Sequence, residues 1–208
     1  MSLSQHPQNY FNELKKAIDL IDLEKLRRLI VKIQEIIGSN RTLFIAGNGG
    51  SAATSSHMAC DLAKTILGKN PRKSNKRLRV ISLNDSIPLM TAWCNDEGYQ
   101  YLFSEQLRNL GTPGDLVMVL TGSGNSPNIL EMAQTAKEMG IETFGLLGFT
   151  GGKAKEILDD FLVVDSDNYG IIEDMHGIIN HLITDFLKRH PGQGDDAFNE
   201  SQVPSLGN

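Results

Sequence analysis

The sequence predicts an α/β fold, a doubly wound, five-stranded parallel sheet flanked by helices. Three observations carry that expectation. Short apolar runs at 42–46, 78–83, 116–120, 141–147 and 161–164 alternate with segments of helical periodicity. The central run, Leu116-Val117-Met118-Val119-Leu120, is continuously apolar, as a parallel strand buried on both faces must be. Two of the runs lead directly into glycine- and serine-rich turns that open helices, at 47–51 and 121–126. A chain of 208 residues can bury one core of this kind, which predicts a single domain over residues 1–190 followed by a polar, glycine-rich, disordered tail over 191–208.

The elements follow in order. Between residues 10 and 37, Phe11, Leu14, Ile18, Ile21, Leu26, Leu29, Ile30, Ile33, Ile36 and Ile37 recur at spacings of three and four, predicting two helices with a break near Asp22. This lead has no strand of its own. Its apolar stripe must pack on the domain or on another copy of the chain, and oligomerisation is the expected use. The run 42–46 reads as the first strand, the turn after it as a helix start, and 68–79 as a basic loop. A second strand at 78–83 precedes a short helix at 88–95 and a longer one at 99–110. The turn cluster 111–115 introduces the third strand, and Pro127 opens a helix in the favoured first-turn position. A fourth strand at 141–147, a short helix at 153–158, a fifth strand at 161–164 and a long helix at 171–189 complete the pattern.

Composition narrows the functional classes. Net charge is −5, and the one basic cluster, between Lys69 and Arg79, has no interleaved aromatic residues, so no nucleic-acid surface is expected. No apolar run approaches the ~20 residues that span a bilayer, and no signal peptide is evident. Two cysteines, Cys60 and Cys94, cannot build a secreted disulfide framework, which points to the cytoplasm.

The informative stretch is Gly47-Asn48-Gly49-Gly50-Ser51 and the helix it opens. Glycines at 47, 49 and 50 permit positive φ and close approach to a ligand, and the helix N-terminus attracts an anion. A phosphate fits there. The pattern is also a minimal dinucleotide fingerprint, but the acidic residue expected about 20 positions on is missing. A second cradle, Thr121-Gly122-Ser123-Gly124-Asn125-Ser126, offers hydroxyls and amides without a lysine. Along the first helix His57 and Asp61, four apart, share a face. On the last helix Glu173 and His181 stand eight apart, about 80° around the axis and about 12 Å along it. With another helix between them, the four side chains make a plausible set for zinc or another divalent cation.

Together, the 47–62 segment, the 121–126 turn, Asn95-Asp96 and the segment 173–181 resemble the sugar isomerase (SIS) domain, and within it the phosphoheptose isomerase group. The likeness spans roughly residues 10–189. It implies isomerisation of sedoheptulose 7-phosphate to a manno-heptose 7-phosphate, a step toward lipopolysaccharide or other surface glycans, by a homotetramer with sites between subunits. Carried over by position, the resemblance places the substrate at Asn48, Gly49, Gly50, Ser51, Asp96, Thr121, Gly122, Ser123, Ser126 and Glu173. It places one zinc per subunit on His57, Asp61, Glu173 and His181, and the acid–base pair on Asp61 and His181. Three positions depart from the family's usual residues: Asp61 stands for glutamate, Glu173 for glutamine, and Thr65 for an arginine one turn after the base. A different sugar phosphate and a non-catalytic assembly protein of the DnaA-associating type are the alternatives. The latter group lacks a carboxylate at the position of Asp61 and the final histidine.

Overall fold

The computed structural model describes residue 3 and residues 5–69, 71–74 and 77–190. The expected tail 191–208 and three positions of the basic loop lie outside the described residues.

Helices α1 (His6–Asp19) and α2 (Leu23–Ile36) form the lead. The break falls at Asp22, whose carboxylate accepts the Lys25 amide at 2.9 Å and caps α2. The α2 stripe Leu26, Leu29, Ile30, Ile33 and Ile36 is buried, and Arg28 reaches Asp160 at 2.9 Å. Burial, the strongest single influence on Asp160, pulls its pKa up, but the Arg28 guanidinium and the Phe161 amide outweigh it and hold the carboxyl below its ordinary value. Tyr10 on α1 donates to Asp174 at 2.7 Å, so the lead is fastened to the domain at both helices.

Strand β1 (Thr42–Gly47) passes into α3 (Gly50–Lys64), and short 3-10 turns follow at Thr65–Leu67 and Pro71–Lys73. Then come β2 (Arg79–Ser82) and α4 (Ile87–Asp96). The helix expected over 99–110 is instead a 3-10 turn, Tyr99–Tyr101, and a seven-residue helix α5 (Ser104–Leu110). The chain turns between them to sink Leu102 and Phe103 completely into the core while Tyr99 and Tyr101 stay exposed. Strand β3 (Leu116–Thr121), α6 (Pro127–Glu138), β4 (Glu142–Gly148), α7 (Ala154–Ile157), β5 (Asp160–Val164) and α8 (Tyr169–Arg189) complete the chain.

All strand pairs are parallel, in the order β2-β1-β3-β4-β5. Successive side chains alternate between faces. Leu43, Ile45, Met118, Phe144 and Leu162 pack under α2, α3 and α8, while Phe44, Ala46, Val117 and Val119 pack under α5 and α6. Every residue of β1 and β3 is therefore buried, which is why these strands read as unbroken apolar runs. Asp115 joins their starts, accepting the Thr42 amide at 2.7 Å and the Thr112 amide at 2.8 Å.

From β1 the chain goes to β2 on one side, and β3 then returns to the other side of β1. The topological switch point thus lies between β1 and β3, whose last paired residues are Gly47 and Leu120. A crevice opens beyond such a point in doubly wound sheets. Both glycine-serine turns leave the sheet there.

Candidate active site

The first turn makes its bend at Gly49, with φ +57° and ψ −124°, a conformation for glycine alone. Gly47 and Gly50 do not have positive φ, contrary to expectation. They are required by proximity instead. A Cβ on Gly47 would lie 2.7 Å from the backbone of Ser51, and one on Gly50 would strike the carboxylate of Glu173. The first amides of α3 to find a backbone carbonyl are those of Ala52 and Ala53, so the helix presents its positive end at Gly50 and Ser51.

Across the switch point the second turn is folded by its own polar atoms. The Gly124 amide donates to Thr121 Oγ1 at 3.2 Å and the Asn125 amide to Ser123 Oγ at 3.2 Å. Ser126 caps α6 without spending its hydroxyl on the helix. A cavity of about 150 Å³ lies between the two turns, lined by Asn48, Ser51, Thr121, Gly122, Ser123 and Ser126, with Tyr169 and Glu173 closing it from α8. That volume suits a phosphate-sized group and is well below the ~300–1,000 Å³ of sites that enclose larger ligands. Two wider clefts, about 660 and 700 Å³, lie beside α1 and beside β2, and neither is lined by residues of the two turns.

Asn48 is held rigidly. It exchanges amide hydrogen bonds with buried Asn128 at 2.9 Å in both directions and accepts from the Tyr99 hydroxyl at 2.9 Å. Asp96, expected at the sugar, is exposed at the end of α4, accepts from Asn95 at 2.7 Å, and does not line this cavity.

Farther along α3, where α8 packs against it, His57, Asp61 and His181 bring one ligand atom each within 4.8 Å of one another. Asp61 Oδ2 lies 3.4 Å from His57 Nε2 and 3.9 Å from His181 Nε2. Tetrahedral ligands at 2.0–2.1 Å from zinc are about 3.3 Å apart, so small side-chain adjustments fit a cation to the three. The histidines are 53% and 63% exposed, which leaves further coordination positions open, while Asp61 is largely enclosed. Glu173 does not belong to this group of three. Two turns before His181 on α8, it faces the phosphate-sized cavity.

Several participants escape a reading of the motifs. Tyr169 packs its ring over Gly122, where a Cβ would meet it at 2.7 Å. Asn180 donates to Asp61 Oδ2 at 3.1 Å and Thr65 to Asp61 Oδ1 at 3.0 Å. The only sign of Asn180 in the sequence is a polar residue interrupting the buried stripe of α8. His176 is a structural residue, with Nε2 3.4 Å from the Leu147 carbonyl and burial pushing its pKa down to about 4.

Comparison with known proteins places the chain in a family. The SIS domain family model matches residues 8–148. The "Probable phosphoheptose isomerase" of Thermoplasma acidophilum is 36% identical over 176 residues, 85% of this chain and 94% of that protein. The phosphoheptose isomerase of Helicobacter pylori strain P12 is 34% identical over 177 residues, covering 85% and 89%. Among solved structures, the phosphoheptose isomerase of Neisseria gonorrhoeae superimposes with a TM-score of 0.81 at 26% identity, over 90% of this chain and all of that one. With two glycine-serine turns at the switch point and a histidine–carboxylate cluster along the helix that the first of them opens, the chain belongs to the SIS domain family and groups within it with the phosphoheptose isomerases.

Proposed function

We propose that this chain is an aldose–ketose isomerase of phosphorylated sugars that interconverts sedoheptulose 7-phosphate and D-glycero-D-manno-heptose 7-phosphate. The observation that carries the reading is the arrangement along α3. The helix starts at the anion cradle and presents His57 roughly 9 Å and Asp61 roughly 15 Å farther along its axis, with side chains tilted back toward the cradle, so that a sugar phosphate held at one end points its other end at Asp61 and His181. Ser51, Thr121, Ser123, Ser126 and the helix amides bind the phosphate, Asn48 contacts the sugar, and the cradle fixes the open chain in register. Asp61 removes the proton from the carbon next to the carbonyl, and His181 returns one at the neighbouring carbon, through an enediol.

His57, Asp61 and His181 would hold a divalent cation, which we take to be zinc, one per subunit. Such an ion stabilises negative charge on the substrate oxygens, worth several kcal/mol. We further propose that the protein is a cytoplasmic homotetramer. Exposed apolar residues on the lead, Phe11, Leu20 and Leu23, and two free cysteines support that reading. Among the described residues no helix is long and apolar enough to cross a membrane.

The test is proton NMR of sedoheptulose 7-phosphate in D₂O with purified protein, with and without zinc. Manno-heptose 7-phosphate should form with deuterium at C2, and Asp61→Asn should slow it at least ~100-fold. Binding without exchange would favour the assembly-protein reading, and absence of binding would end the phosphosugar reading.

A further inference from the structure

The Asp61 carboxylate is held at both oxygens. Thr65 Oγ1, one turn along α3, donates to Oδ1 at 3.0 Å, and Asn180 Nδ2, from α8, donates to Oδ2 at 3.1 Å. Oδ2 is also the atom that faces His57 and His181. A carboxylate oxygen has two lone pairs. The Asn180 amide engages one, and the other is left directed at the space between the imidazoles.

Asn180 is fully buried on α8, beside the core residues Ile179 and Ile183 and one turn from His176 and Thr184, which are also buried. Its Oδ1 finds no hydrogen-bond partner among the described residues. A buried amide with half its capacity unused is a poor choice for stability, since an apolar side chain of the same size would remove an unpaired carbonyl. Its other half does one definite thing, which is to hold the carboxylate.

We propose that Asn180, assisted by Thr65, is the positioning residue for Asp61. The two donors stop rotation of the short carboxylate and fix the direction in which its remaining lone pairs, one on each oxygen, face the imidazoles and the reacting end of the sugar. Asp61 reaches one methylene less far than a glutamate, so it has little tolerance for misorientation, and displacements near 1 Å can cost about 100-fold in rate. This inference rests on the acid–base role of Asp61 proposed above.

The experiment uses the full-length protein and the variants Asn180→Leu and Thr65→Val, each close in size to the residue it replaces and each lacking the donor. For Asn180→Leu, kcat should fall roughly 10–100-fold, KM should stay within about threefold, and the melting temperature should hold or rise by ~2–4 °C. Thr65→Val should act in the same direction and more weakly. The double variant should lose less than the product of the single losses, because both donors serve one carboxylate. Unchanged kcat in both variants overturns the proposal, as does a loss that vanishes when each variant is assayed well below its melting temperature. If the wild-type protein turns over no sugar phosphate, the isomerase reading fails on its own. The positioning contact is then read from thermal stability with Asp61→Ala, Asn180→Leu and their combination, where additive shifts overturn it and non-additive shifts support it.

Discussion

Glu173 shows how one carboxylate changes meaning with its surroundings. Its carboxyl stands against Gly50 at the positive end of α3 and lines the phosphate-sized cavity. Two like charges sharing that space repel by about 1 kcal/mol or more at the effective dielectric of a partly solvated cleft. Glu173→Gln should therefore lower KM for the sugar phosphate about three- to tenfold at low ionic strength, measured by steady-state assay, and the gain should shrink in high salt. His176 makes a prediction about stability alone. Burial keeps it neutral in the fold with a pKa near 4, against about 6.5 unfolded, so below pH 6.5 the unfolded chain binds a proton the folded one refuses. Its contribution is complete above pH 6.5 and is lost as pH falls toward 4, by up to about 3 kcal/mol. Urea melts across that window should show the loss, and His176→Leu should flatten it.

At the scale of an element, the turn between β1 and α3 uses three glycines for two reasons. Gly49 supplies a backbone conformation, while Gly47 and Gly50 make room, Gly47 for the backbone of its own helix and Gly50 for a flexible side-chain end. The consequences of adding a methyl group differ accordingly. Gly47→Ala must move main chain at the end of a fully buried strand and should destabilise the protein by about 1–3 kcal/mol. Gly50→Ala can be accommodated by a shift of Glu173 and should leave the melting temperature nearly unchanged while raising KM. Thermal melts and KM values for the two variants check the contrast. Spacing alone locates this turn and assigns all three glycines one reason, because it shows that backbone must be permissive without showing what approaches it.

For the whole molecule, the lead helices are fastened to the domain yet leave apolar residues outward. Phe11, Leu20 and Leu23 are each more than half exposed, although α2 buries its own stripe against the sheet. In the proposed homotetramer a second copy would cover those residues. Phe11→Glu with Leu23→Glu should reduce the assembly to smaller species in light scattering and depress turnover, with little change in the secondary structure seen by circular dichroism. An unaltered oligomer would place the interface elsewhere. Asp96, exposed and outside the cavity, is the other residue for which a neighbouring copy would decide the role.

What the sequence determined by itself is whatever depends on local periodicity and turn chemistry. The five strands, the break at Asp22, the helix opened by Pro127 and the two glycine-serine turns each follow from residues a few positions apart. The pairing of His57 with Asp61 belongs here too, because one helical turn fixes it. Only the tertiary structure decided which distant residues meet. The strand order β2-β1-β3-β4-β5 puts both glycine-serine turns at one switch point, and the packing of α8 on α3 brings His181 to Asp61 while turning Glu173 toward the phosphate-sized cavity. Asn180 lay in plain view beside His181, but its partner is 119 residues away, and a polar residue in an apolar stripe acquires a purpose only when the opposing helix supplies the carboxylate.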